Sequence, residues 1–107
     1  MVEGEFKVVV TQNAVEVIEN IYGYYEKEVS KSVAQKIKNE ILKEIFTLNI
    51  LPERKSILRS KKSYTPDIRF AQKMSFKILF QVYKEVREVV VLEVIHDKES
   101  PRNWESV

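Results

Sequence analysis

Cysteine is absent from this 107-residue sequence, and histidine occurs only once, at His96. Without cysteine the chain cannot form a disulfide bond or a thiolate-held zinc or iron–sulfur site. A single histidine also excludes a metal centre built from several imidazole groups. We therefore expect the protein to work without a metal and without any other cofactor.

Long apolar runs are also absent. No stretch approaches the roughly 18 apolar residues that a membrane-spanning helix needs. The first five residues include Glu3 and Glu5 and lack the basic start and apolar core of a signal peptide. These features predict a cytoplasmic protein with no membrane partner. A hydrophobic content of 44% with 32% charged residues is ordinary for a globular chain, and we expect one domain over residues 1–107.

Glycine and proline are scarce, with two and three residues respectively, and no linker or internal repeat is visible. Gly23 falls inside a helical pattern, where glycine costs about 1 kcal/mol relative to alanine. We interpret Gly23 as a mark of close packing of one helix on another. Pro52 and Pro66 bracket the middle of the chain.

Positive charge is concentrated in that middle, between Pro52 and Lys77. This basic segment carries eight basic residues against two acidic ones, whereas the flanking parts are each slightly acidic. Clustered cations attract polyanions or an acidic segment of a protein partner, although a solvated surface is the alternative interpretation. The basic residues are Arg54, Lys55, Arg59, Lys61, Lys62, Arg69, Lys73 and Lys77.

The first half of the chain predicts a strand followed by two helices. Residues 6–10 are rich in β-branched side chains and predict a short strand, with Thr11 as the N-cap of a helix over residues 14–28. Ser32 with Gln35 matches a capping box for a second helix that runs to about residue 48, and Ser30 is an alternative cap. The short connection predicts an antiparallel helical hairpin.

The second half predicts strands. Residues 67–72 form a candidate strand, and residues 75–83 alternate between two faces. Residues 89–95 are almost all apolar, which is typical of a strand covered on both faces. The order β-α-α-β-β-β predicts an α+β fold, with the hairpin packed across a mostly antiparallel sheet.

This order, with the aromatic–basic–aliphatic–aliphatic–aromatic run Phe76-Lys77-Ile78-Leu79-Phe80, resembles the RelE/ParE toxins of bacterial type II toxin–antitoxin pairs. The end of the last strand, Val94-Ile95-His96-Asp97-Lys98, and the helical pair that ends near Pro52 extend the resemblance over nearly the whole chain. It implies a toxin that is neutralised by a cognate antitoxin, which in this family wraps the toxin and covers the basic surface.

The family divides by target. RelE-like members cut mRNA on the ribosome by driving a 2′-hydroxyl onto the adjacent phosphate, and ParE-like members inhibit DNA gyrase without cleavage chemistry. The long helical hairpin of this chain favours the ParE-like branch. The alternative is a ribosome-dependent mRNA endonuclease, and a domain that has lost toxicity and acts only in a complex is a third option.

Candidate catalytic residues follow from the endonuclease alternative, which requires a base, an acid and positive charge on the phosphorane. Arg69 and Lys77 occupy positions where the family carries basic residues, although each could be a solvated or ion-paired strand residue. Lysine at position 77 lacks the planar fork of the arginine that is common in the family, which weakens the nuclease interpretation.

His96 and Lys98 complete the candidate catalytic set. Histidine has an ordinary pKa near neutrality, so His96 could transfer a proton, or it could be a structural residue at the strand end. Lys98 lies between Asp97 and Glu99, which dilute its charge. Trp104 could stack on an unpaired base or pack the tail onto the domain.

Three tyrosines in the first helix, Tyr22, Tyr24 and Tyr25, are predicted to be mostly core, with one or two facing outward as an anchor for the antitoxin.

Overall fold

Two helices cover one face of a five-stranded mixed sheet in the computed structural model, which describes residues 5–59 and 63–97. The predicted α+β fold is confirmed, and so is the helical hairpin. Short 3₁₀ turns follow the second helix and precede the last strand. The elements are β1 (Lys7–Val10), α1 (Gln12–Glu28), α2 (Lys31–Phe46), β2 (Ser56–Ile57), β3 (Ile68–Lys73), β4 (Phe76–Tyr83) and β5 (Glu88–His96).

The two helices begin at hydroxyl caps. The Thr11 hydroxyl accepts a hydrogen bond from the Ala14 amide at 3.2 Å, as predicted. The second cap is Ser30, whose hydroxyl accepts from the Val33 amide at 3.1 Å. The predicted Ser32 capping box is wrong, because Ser30 is the last residue with an extended backbone and Ser32 already lies in the first helical turn.

The strand order across the sheet is β1-β5-β4-β3-β2. β1 runs parallel to β5, and the other neighbours are antiparallel. β2 was not predicted, because a strand of two residues is too short to show a period-two pattern. It lies in the basic segment and places that segment along the edge of the sheet beside β3.

Alternation along β4 separates the two faces of the sheet. Phe76, Ile78, Phe80 and Val82 belong to the main core beneath the helices, as predicted, and Leu79 belongs to a separate cluster. The register between β4 and β5 shifts after Leu79, which faces Glu93, while Phe80 faces Val91.

Leu92 is therefore the extra residue of a bulge in β5. This bulge keeps Val89, Val91 and Val94 all on the helix side, which explains the nearly continuous apolar run in the sequence.

The face of the sheet opposite the helices carries a small second core. Its buried members, Ile68, Leu79 and Ile95, are partly covered by Leu58 and Tyr64 from the segment between β2 and β3. That segment is also fastened to the sheet, because the Gln81 side-chain amide donates to the Pro66 carbonyl at 2.8 Å. The helix-free face is therefore only partly open.

Three positions on the outer surface of the helices bear on the sequence-based expectations. Tyr24 is 60% exposed, in line with the expectation that one or two tyrosines face outward. Phe46, the last residue of α2, is 62% exposed although it is a large apolar side chain. Apart from the neighbouring residues and the backbone of α1 itself, no described heavy atom lies within 4 Å of the position that a Cβ would take at Gly23. The prediction that Gly23 marks close helix packing within the chain is therefore wrong. None of the described helices is long and apolar enough to cross a bilayer.

Glu40 ties the helical layer to the sheet. Its carboxylate lies 3.4 Å from Lys43 of the same helix and 3.5 Å from Lys73 of β3. The hydrogen bond and charge of Lys43, followed by the charge of Lys73, lower the pKa of the Glu40 carboxyl below its ordinary value of about 4.5. A lowered pKa in the folded state means that this carboxylate favours folding only while it is ionised.

Replacing Phe80 should be the most damaging single truncation of the core, because its side chain is fully buried and is the largest of the fully buried ones. We expect Phe80→Ala to lower the free energy of unfolding by about 3 to 5 kcal/mol, measured by urea denaturation. Val86→Ala, at a position that is 64% exposed, is the matched control and should change it by less than about 0.5 kcal/mol. Equal effects of the two substitutions would contradict the assignment of the core.

The contribution of Glu40 should depend on pH in one direction. We expect Glu40→Gln to reduce the stability at neutral pH, and we expect the difference from the wild type to shrink as the pH falls through about 4.5 and below. The measurement is urea unfolding of both proteins between pH 3 and pH 7, a range chosen to bracket that pKa. A difference that grows towards low pH would refute the ion-pair interpretation.

Candidate functional site

A basic concavity of about 880 Å³ lies at the edge of the sheet where β2 meets β3. Four cationic side chains line it, and no acidic residue does. It thus brings together four of the residues that the sequence singled out. The lining residues are Lys55, Ser56, Ile57, Leu58, Arg59, Arg69, Phe70 and Lys77.

Arg69 holds the wall of the concavity in place. Its guanidinium donates hydrogen bonds to the carbonyls of Lys55, at 2.7 Å, and Glu53, at 3.1 Å, and lies 4.0 Å from the Glu53 carboxylate. The side chain is only 18% exposed. Since its donors are used within the chain, Arg69 fixes the basic segment to β3 and contributes only part of its charge to a ligand.

Arg59 and Lys77 are the cations most available to a ligand. Lys77 lies on the helix-free face, with its Nζ 5.3 Å from the centre of the Phe70 ring, within the range of a cation–π contact. Neither Arg59 nor Lys77 has an ion pair with another residue of the described ranges 5–59 and 63–97. Lys55, by contrast, pairs with Glu44 at 3.0 Å.

Two other predicted binding residues have structural contacts outside the concavity. Arg54 donates to the carbonyls of Ile50, Leu51 and Thr47 and so caps the chain after α2. Lys73 points to the helix side and pairs with Glu40. The remaining predicted residues, Lys61, Lys62, Lys98 and Trp104, lie outside the described residues.

His96 lies on the other face of the sheet, beneath α1. Its ring meets the ring of Phe76 edge to face, with the centres 5.5 Å apart. It lines an apolar groove of about 470 Å³ together with Val17, Asn20, Ile21, Tyr24, Tyr25 and Phe76. This is the environment of a packed strand-end residue.

The three described catalytic candidates therefore do not converge. Lys77 pairs with Ile95 across the sheet, one residue before His96, so the amine and the imidazole project from opposite faces. Arg69 pairs with Phe80 and His96 with Phe76, which separates them by about 13 Å along β4. Strand alternation therefore separates Lys77 from His96, and the register separates Arg69 from His96.

Sequence analysis missed the aromatic and acidic neighbours of the site. Phe70, beneath Lys77, and the neutralising residues Glu44 and Glu53 were not singled out. Phe70 could have been identified from the sequence as an aromatic residue on the strand that precedes the Phe76–Phe80 run. The ion pairs of Glu44 and Glu53 can be recognised only in the three-dimensional structure. Within the described residues, no group of three or more acidic or histidine side chains could hold a metal ion.

Solved structures with the same fold belong to toxin–antitoxin systems. A chain of the chromosomal ParDE system from P. aeruginosa is 18% identical with a TM-score of 0.70, covering 88% of this chain and 98% of that one. A chain of the RelBE2 complex from Mycobacterium tuberculosis is 18% identical with a TM-score of 0.67, covering 92% and 98%. A chain of the archaeal RelE–RelB complex from Pyrococcus horikoshii OT3 is 12% identical with a TM-score of 0.60, covering 90% and 99%.

A search of curated proteins gives no match. The family model described as the ParE toxin of the type II toxin–antitoxin system parDE, however, matches residues 8–101. This match spans every helix and strand except the first residue of β1. The resemblance inferred from the sequence is thus confirmed, and the chain belongs to the ParE toxin family of type II toxin–antitoxin systems.

Proposed function

We propose that this toxin inhibits growth by binding DNA gyrase and not by cutting RNA. The observation that carries the proposal is the separation of Arg69, Lys77 and His96. Attack of a 2′-hydroxyl requires a base and an acid within about 3 Å of the reacting oxygens, with positive charge at the same phosphate. Arg69 is bonded to the backbone and His96 packs beneath α1, so the described catalytic candidates supply charge but no adjacent acid–base pair.

The basic concavity supplies a surface for an acidic target. Arg59 and Lys77 present charge at a shallow site with the Phe70 ring beside it, an arrangement that suits a phosphate backbone or a carboxylate-rich protein segment. A complex of gyrase with DNA offers both kinds of anionic surface. Binding of this type needs no bond-breaking groups, which agrees with the chemistry that the site holds.

A cognate antitoxin is the second partner in this proposal. The similar structures from M. tuberculosis and P. horikoshii are toxin–antitoxin complexes. We expect the antitoxin of this chain to cover the basic concavity with an acidic segment, because occupation of Arg59 and Lys77 would block the target directly. On this proposal we expect the protein to act in the cytoplasm.

His96 should be dispensable for growth inhibition. We expect induced wild type and His96→Gln to arrest growth equally, to leave mRNA intact and to inhibit supercoiling by purified gyrase. His96→Gln is a cleaner test than replacement of Arg69, which would also loosen residues 53–55. Cuts in mRNA that follow the codon phase and vanish in His96→Gln would establish the endonuclease alternative and refute the proposal.

The basic concavity should be needed for inhibition. We expect the double variant Arg59→Glu with Lys77→Glu to weaken gyrase inhibition at least about tenfold, because like charges then face the anionic target. Lys7→Glu is the matched control for Lys77→Glu alone, because each changes the net charge by the same amount and Lys7 is exposed on the opposite edge strand. Higher salt should weaken the wild type more than the double variant. An equal loss of gyrase inhibition in Lys7→Glu and in Lys77→Glu would mean that inhibition depends on the net charge of the protein and not on the basic concavity.

A further inference from the structure

The outward faces of the two helices carry opposite charge. On α1 the exposed ionisable residues are four carboxylates and one amine, a net charge of −3, whereas on α2 they are three amines, a net charge of +3. The exposed residues of α1 are Glu16, Glu19, Glu26, Lys27 and Glu28, and those of α2 are Lys31, Lys36 and Lys43.

Contacts within the chain leave most of this charge uncompensated. The acids of α2 are less exposed: Glu44 pairs with Lys55, and Glu40 pairs with Lys73 and with Lys43 of α2 itself. Lys31 and Lys36 have no ion pair with another described residue. On α1 only Glu19 has an ion pair among the described residues, with Lys38 at 2.7 Å. The helical layer therefore presents an acidic strip beside a basic strip.

Gly23 lies in the middle of the acidic strip. Its conformation is helical, and a Cβ there would meet no described atom within 4 Å beyond its neighbours and the backbone of α1, so no contact within the described chain requires glycine. Glycine at this exposed position makes the helix less stable than alanine would. A missing side chain does, however, let the backbone of a second helix approach closely.

We propose that two copies of this chain associate through their helical layers, around a twofold axis parallel to the helices. Such an axis places α1 of each copy antiparallel on α2 of its partner, so that both acidic strips meet basic strips. A twofold axis in the plane of the interface but perpendicular to the helices would instead place α1 against α1, so that like charges would face each other. The charge pattern is thus self-complementary in one symmetric arrangement only.

The register within the hairpin places the charges at matching heights. The Glu19–Lys38 contact shows which positions lie level, and because the helices are antiparallel, Glu26 lies level with Lys31. A twofold parallel to the helices preserves these heights, so Glu26 would meet the partner's Lys31. Gly23 would lie level with the partner's Ala34, midway between the partner's Lys31 and Lys36 along α2.

The size of the surface predicts a weak, reversible dimer. Helices of 17 and 16 residues are about 25 Å long, and side by side they are about 20 Å wide. The contact would bury roughly 500 Å² on each copy, or about 1,000 Å² in total, at the lower limit for specific interfaces. Because charge pairs contribute much of the attraction, salt should weaken it.

Charge reversal tests the arrangement by sedimentation equilibrium of the purified full chain. Variant A carries Glu16→Lys and Glu26→Lys, and variant B carries Lys31→Glu and Lys36→Glu. We expect the wild type to dimerise with increasing concentration and each variant alone to remain a monomer. An equimolar mixture of A and B should form a heterodimer, because each strip then meets its opposite.

Control measurements establish that charge is the cause. Circular dichroism should show that both variants fold, since the substituted residues are exposed, and Lys7→Glu should still dimerise. A wild type that stays monomeric up to roughly 1 mM, a limit set to detect weak association, overturns the proposal. A dimer of either variant alone, or a mixture that stays monomeric, also overturns it.

Gly23 provides a second, uncharged test. We expect Gly23→Ala to raise the melting temperature of the monomer through helix propensity, and Gly23→Leu to weaken dimerisation at least about tenfold by blocking close approach. If Gly23→Leu leaves self-association unchanged, the face is not the interface. If the wild type is a monomer and Gly23→Leu abolishes antitoxin binding, the antitoxin occupies this face and the proposed dimer is wrong.

Discussion

The side-chain alternation of β4, fixed by its pairing with β3 and β5, is the constraint on which the rest of the molecule depends. It gives Phe80 and its neighbours to the helical layer and gives Lys77 and Leu79 to the opposite face. The bulge at Leu92 preserves this separation along β5, where a regular register would turn Val94 away from the core. The composition of the buried core and the face on which Lys77 lies both follow from the pairing of β4 with its two neighbours.

Four of the six described cations in the basic segment make hydrogen bonds or ion pairs within the chain, and two of the six remain for a target. Arg54 caps backbone carbonyls, Arg69 holds residues 53–55, and Lys73 joins β3 to α2 through Glu40. A charge count along the sequence cannot make this distinction, since a lysine bound to a neighbouring carboxylate and one that faces solvent look alike. The available charge is concentrated at Arg59 and Lys77.

Elements whose signal is local could be predicted from the sequence, and those that depend on distant contacts could not. The period of β4 and the Thr11 cap follow from neighbouring residues, and the family followed from the Phe76–Phe80 run with the order of elements. The two-residue β2, the choice of Ser30 over Ser32 and the opposite projection of Lys77 and His96 depend on register and tertiary contacts. The exposed position of Gly23 likewise emerges only when the helices are placed.

The packing of Leu58 connects the binding surface to the interior. Leu58 covers Ile68, Leu79 and Ile95, and it is covalently adjacent to Arg59 at the concavity. A partner that immobilises Arg59 therefore also restrains Leu58, which covers the second core. By thermodynamic linkage, binding of a partner at the basic concavity should slow amide hydrogen exchange in the buried strands that Leu58 covers. The exchange rates of these amides would then show whether the toxin is bound to a partner.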